Sequence, residues 1–141
     1  MHRRPLGRGR TLAVIASAIM LAACLLPWFG TGGGSDLPAT ELRFFDGFGI
    51  LVFVAALLVL ALVTLPYAAG TRPLGIDAWP AYLLLFVLGV AGVALWPIDL
   101  LGVYPAGLLP DRAPGFWIAI LGVIVLGRAV FDIAREAPQR A

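Results

Sequence analysis

Few side chains in this sequence can carry chemistry, and their spacing keeps them apart. The lone histidine, His2, lies in the N-terminal tail, so no pair of imidazoles can hold a haem or a metal. Ser17 falls inside an apolar run with no base in reach, which leaves no hydroxyl nucleophile with a partner. Cys24 is the single cysteine, so an internal disulfide and any multi-cysteine metal or redox motif are excluded. The carboxylates Asp36, Glu41, Asp46, Asp99 and Asp111 all sit in or beside connections between apolar runs. The expectation is a non-enzymatic protein with no catalytic, cofactor-binding or metal-ligating residues and no cofactor.

Two of those acids stand closest to apolar segments. Asp46 is placed in the first turn of a helix, where the macrodipole favours an anion, and Asp99 lies just past a helix end. A capping or solvated carboxylate is preferred for each over a cation site, because ionisable groups on ion pathways lie deep in apolar runs. Arg128 lies four residues before Asp132 and reads as a snorkelling side chain within reach of phosphate headgroups.

Cys24 carries the one modification motif. Leu21-Ala22-Ala23-Cys24 has the form of a lipobox behind an arginine-rich tail. Lipidation would remove the segment before the thiol and leave three spans. However, the apolar run continues through Leu25, Leu26, Trp28 and Phe29, where a processed lipoprotein would turn polar. Cys24 therefore stands as a lipidation candidate, with a membrane-buried thiol on an uncleaved helix preferred.

The elements that carry these residues are long apolar runs. Of the 141 residues, 61% are hydrophobic and 13% charged, against about 45–50% and about 25% in a soluble domain. A bilayer is the natural solvent for such a chain. The runs predict an all-α membrane protein with four transmembrane helices at 11–29, 44–66, 80–98 and 114–131. Between them lie a basic tail (1–10), an outer loop (30–43), an inner loop (67–79), a second outer loop (99–113) and an inner tail (132–141). Pro66 is expected to close the second run, and Pro80 suits the first turn of the third. Gly32-Gly33-Gly34 reads as a linker. No run alternates with period two, so strands are not expected.

Arginine placement sets the orientation. With the N-terminus cytoplasmic, Arg3, Arg4, Arg8, Arg10, Arg72, Arg128, Arg135 and Arg140 fall inside, and only Arg43 and Arg112 outside. This is the positive-inside pattern, with both termini in the cytoplasm of a plasma-membrane, multi-pass protein. It accounts for a pI near 9.2 without a nucleic-acid partner. Aromatic residues gather at the run ends, with Trp28, Phe29, Phe44, Phe45, Trp96, Phe116 and Trp117 outside and Tyr67, Trp79 and Tyr82 inside. Trp28, Trp79, Trp96 and Trp117 are read as interfacial anchors.

The chain also matches itself at an offset of 68. Arg4-Pro5-Leu6-Gly7 falls on Arg72-Pro73-Leu74-Gly75, Trp28 on Trp96, Gly34 on Gly102, and Gly47-Phe48 on Gly115-Phe116. A parallel duplication of a two-helix hairpin would give this, as would convergent use of Gly, Pro and Trp at equal depths. Small residues at Ala13/Ser17, Ala18/Ala22 and Gly115/Ala119 suit close helix packing, within the bundle or between copies.

The Leu26-Pro27-Trp28-Phe29-Gly30 exit, Phe45-Asp46, Pro97-Ile98-Asp99, Gly115-Phe116-Trp117-Ile118 and the closing stretch 128–136 form one series. Together they resemble a broad group of uncharacterised four-helix membrane proteins of high-GC, actinobacterial-type bacteria. The resemblance implies a cell-membrane location and four spans, and carries no activity to any residue. The expected role is an accessory or structural envelope component partnered by the bilayer, with self-association or another membrane protein as a further partner. The alternative is a subunit of a small transporter or oligomeric channel, since a hydrophobic constriction needs no charge.

Overall fold

A computed structural model of the chain describes residues 6–31, 40–68, 78–98 and 109–136. Four long helices dominate these residues: α1 (Arg8–Cys24), α2 (Ile50–Ala68), α3 (Trp79–Leu95) and α4 (Pro114–Glu136). Each packs against its neighbours in the chain, and α1 closes the ring against α4. The all-helical expectation holds for the long elements. By length and composition, α4 alone among the described residues is both long and apolar enough to cross a membrane. Residues 50–66 and α3 are apolar but shorter.

Several boundaries move where backbone chemistry outweighs hydropathy. The first run is helical only to Cys24, because Pro27 has no N–H to continue the ladder. The chain then forms β1 (Phe29–Thr31), which pairs antiparallel with β2 (Thr40–Leu42), Phe29 opposite Leu42. This ribbon corrects the expectation of no strands. Segments of three residues are too short for alternation to show in the sequence. The Trp28 N–H donates to the Leu42 carbonyl at 3.0 Å and extends the pairing.

The second run also starts later than its hydropathy. Phe44–Asp46 is a separate 3₁₀ turn, and α2 begins only at Ile50, after Gly47 and Gly49. Asp46 is therefore not in the first turn of α2. Its carboxylate accepts the Arg43 N–H at 2.7 Å and caps the 3₁₀ turn instead. Pro66 does not close α2 but lies inside it, two residues before the end. So near the C-terminus, a lost amide and a ring clash with one carbonyl are tolerated. Pro80 sits in the first turn of α3 as expected, and α4 runs unbroken through the amphipathic stretch to Glu136.

Small residues set the packing. Ala13, Ala16, Ser17 and Ala23 of α1 are buried against a face of α4 that includes Gly115, Ala119, Gly122 and Ala129. A Cβ at Gly122 would stand 2.6 Å from Met20 Cγ and 3.2 Å from the Met20 amide nitrogen. The α1 and α4 backbones are thus nearly in contact, and theirs is the most extensive pairing in the bundle. Gly89 of α3 lies near the centre, within reach of Met20 from α1, Ala55 from α2 and Val123 from α4. Ala13/Ser17 and Gly115/Ala119 are consumed in the interior, whereas Ala18 and Ala22 face outward.

Much of the outer surface of α2, α3 and α4 is apolar. Val54, Leu57 and Leu58 of α2, Leu83, Leu84, Val87 and Val90 of α3, and Leu121 and Ile124 of α4 are all exposed. Neither α2 nor α3 contains a charged residue.

Candidate functional site

The groups with chemical or recognition potential collect at the two ends of the bundle. At one end the tail of α1, the tail of α3, the head of α4 and the 3₁₀ turn converge on Trp28. Its ring is fully buried and its indole N–H donates to the Ala23 carbonyl at 2.9 Å. That carbonyl lies in the last turn of α1 and already accepts the Leu26 N–H at 3.3 Å, so the indole is a second donor to a helix-end acceptor. Trp96 meets Trp28 edge to face with centroids 5.4 Å apart, and Phe116 and Phe44 lie at 6.1 and 6.4 Å. The head of α4 is tied in by the Gly115 N–H donating to the Pro27 carbonyl at 2.9 Å.

The aromatic residues therefore gather at one end, as their sequence positions imply, but most turn inward. Trp28, Phe29, Phe44, Trp96 and Phe116 are buried; Phe45 and Trp117 are exposed. At the opposite end Trp79 is exposed and Tyr82 is fully buried. Of the four tryptophans read as anchors, Trp79 and Trp117 present a ring to the surroundings. Trp28 and Trp96 present theirs to each other. The Trp96 indole N–H is buried and finds no acceptor among the described residues.

The other end is built from the last two turns of α4 and the head of α1. Gly7, the residue before α1, has no side chain to cap the helix. Glu136 takes that role across 127 positions of sequence, accepting the Gly9 N–H at 3.3 Å. A carboxylate there also meets the positive end of the α1 dipole. On the outer face of the same turns, Arg128 and Arg135 both lie over the ring of Phe131, at 5.5 and 4.1 Å from its centroid. Arg128 also pairs with Asp132 at 3.1 Å, and the second Asp132 oxygen is buried with no partner among the described residues.

Sequence reasoning places Arg128 and Asp132 together but misses the Phe131–Arg135 contact and the Glu136 cap. The i, i+3, i+7 spacing of Arg128, Phe131 and Arg135 is the signal for the first. Nothing local signals the second, because the donor lies at the far end of the chain.

The remaining candidates are structural in their surroundings. Cys24 is buried in the last turn of α1, in the same core as Ala23 and Trp28. The Ser17 hydroxyl donates to the Val14 carbonyl at 2.9 Å, a back-bond within its own helix. Among the described residues no three His, Cys, Asp or Glu side chains come together to hold a metal ion. Expectations resting on Asp36, Gly32–Gly34, Arg72–Gly75, Asp99 and Gly102 lie outside the described residues. Comparison of the chain with protein-family models, with curated proteins and with solved structures yields no match.

Proposed function

We propose that the chain is a multi-pass plasma-membrane protein in which α1 to α4 each cross the bilayer, serving as a non-enzymatic accessory or structural component of the envelope. The observation that carries this reading is the belt of exposed Val, Leu and Ile on α2, α3 and α4, continuous with no charged residue along α2 or α3. Water would be a poor solvent for such a belt, whereas lipid costs it nothing. The 17 residues of α1 and of α3 are near the lower limit for a span. Local thinning of the bilayer accommodates them at modest cost.

Trp79 and Trp117 then act as the interfacial anchors, and Cys24 remains an unmodified thiol. Removing the segment before Cys24 would strip α4 of its most extensive interface. The two hairpins, α1–α2 and α3–α4, derive in this reading from one duplicated unit with its copies parallel. Support comes from the exchange of partners between Gly47–Trp96 and Gly115–Trp28, which are equivalent pairs at an offset of 68. The accessory role is preferred to a transporter because a coupling-ion site needs a charged group in the membrane interior, and α2 and α3 offer none.

Topology labelling tests the reading. In a Cys24→Ser background, Arg112→Cys is expected to react with an impermeant maleimide on intact cells. Arg8→Cys is expected to react only after permeabilisation. Labelling of both from the same side, or recovery of the protein in the soluble fraction, would sink the proposal.

A further inference from the structure

The outward face of α4 changes character along its length. Trp117, Leu121, Ile124, Arg128, Phe131 and Arg135 follow one another at steps of four and three residues, so they lie in one stripe. All six are exposed. The first three are apolar, and the last three are a phenyl ring with a guanidinium on either side. Arg128 reaches forward along the helix, to Phe131 and Asp132, while Arg135 reaches back to the same ring. Two cations are thereby held at one level, and cannot be farther apart than their two distances to the ring combined.

The acids nearby offset only one of these two charges. Glu136 is committed to the Gly9 amide on the other side of the helix. Among the described residues Asp132 pairs with Arg128 alone, and Arg135 is in no ion pair. At the offset of 68 the equivalent residues are Leu60, Val63 and Tyr67, so the feature belongs to α4 and not to the repeated unit.

We infer that this stripe is a binding site for one anionic phospholipid. The headgroup phosphate sits between the Arg128 and Arg135 guanidinium groups at the level of Phe131, and an acyl chain lies along Ile124 and Leu121. Trp117 and Phe131 are fourteen residues apart, about 21 Å, which exceeds the ~15 Å depth of one leaflet's hydrocarbon. The stripe is therefore long enough to hold both headgroup and chain. Guanidinium groups favour phosphate through paired, charge-assisted hydrogen bonds, and the ring beneath them restricts their motion. This inference rests on the membrane reading above.

The test is native mass spectrometry of the protein released from nanodiscs of equal phosphatidylglycerol and phosphatidylcholine content. The wild type is expected to retain phosphatidylglycerol over phosphatidylcholine by at least about fivefold, the effect of roughly one interfacial arginine. The Arg128→Gln/Arg135→Gln double variant is expected to lose that preference, and Arg8→Gln, at the same end of the bundle, to keep it. Equal retention by the wild type would overturn the site, as would a preference that survives the double variant or falls equally with Arg8→Gln. Displacement of the lipid by millimolar inorganic phosphate would also overturn it, by showing a site for the free anion. Failure to enter the nanodiscs would instead overturn the membrane reading beneath it.

Discussion

The indoles of Trp28 and Trp96 meet at an interplanar angle of 81° with centroids 5.4 Å apart, although 68 positions separate them in the chain. The contacts around them are reciprocal. A Cβ on Gly47 would stand 2.9 Å from the Trp96 ring, and a Cβ on Gly115 would stand 2.6 Å from the Trp28 ring. Adding 68 to the first glycine gives the second, and subtracting 68 from Trp96 gives Trp28. Exchange of this kind, i with j and j with i, is what a two-fold relation between two copies produces.

The two glycines differ in what hems them in, so their substitution should cost unequal amounts. At Gly115 an added methyl would also meet the Ala23 and Leu26 carbonyl oxygens at 2.7 and 2.8 Å, and backbone cannot yield as a side chain can. At Gly47 the nearest atoms all belong to the edge of the Trp96 ring. Gly115→Ala is expected to destabilise the bundle by about 2–3 kcal/mol and Gly47→Ala by about 1 kcal/mol. Thermal unfolding of both variants in one detergent reads the difference, and a larger loss for Gly47→Ala would contradict it.

The tryptophans are unequal in a second way. Trp28→Phe removes an indole N–H that donates to the Ala23 carbonyl beside the Leu26 N–H, whereas Trp96→Phe removes one that has no acceptor among the described residues. Both substitutions lose the same volume from a buried ring. Trp28→Phe should therefore be the more destabilising by about 1 kcal/mol, the net worth of one hydrogen bond. Equal unfolding midpoints for the two variants would argue that the Ala23 bond contributes nothing.

These pairs mark the boundary of what could be read in advance. Pro80 in the first turn of α3 follows from local chemistry, as does the extension of α4 past 131, where Arg128, Asp132, Arg135 and Glu136 alternate with Ala129, Val130, Phe131 and Ile133. The inward turn of Trp28 and Trp96 does not. A tryptophan at a helix end carries the same compositional signal whether its ring faces lipid or core. The direction is decided by glycines on other elements, which leave room for the ring. Asp46 falls outside α2 for a related reason: Gly47 and Gly49 delay the helix, and a hydropathy run cannot show that its first residues form a separate turn. The Glu136 cap depends on α1 and α4 running antiparallel side by side, which no local pattern encodes.

That cap gives a third expectation. Gly7 cannot cap α1, and a carboxylate from the last turn of α4 accepts the Gly9 N–H in its place. Glu136→Ala should cost about 1 kcal/mol, as loss of an N-terminal cap does. Gly7→Ala should do less harm, since its Cβ would stand 2.6 Å from a Glu136 carboxylate oxygen, the mobile end of a side chain that can shift and loosen the cap. If the two changes act through one contact, the double variant will cost less than the sum of the singles. Additive losses in thermal unfolding would show that they act separately.

The outward belt yields the sharpest contrast between solvents. Val87 lies at the centre of α3 and is 58% exposed. On a protein in water, replacing an exposed valine by arginine would change stability by less than about 0.5 kcal/mol. At the centre of a span the same change costs about 3 kcal/mol, because the guanidinium must be drawn toward a headgroup or carry water with it. Val87→Arg is therefore expected to reduce membrane recovery sharply, while Val87→Leu leaves it unchanged. Arg135→Leu serves as the converse, since a charge lost from the end of α4 imposes no insertion penalty. Quantifying the three variants in the membrane fraction after alkaline extraction decides the matter. Full recovery of Val87→Arg would place that face of α3 in water and remove the principal support for a four-span protein.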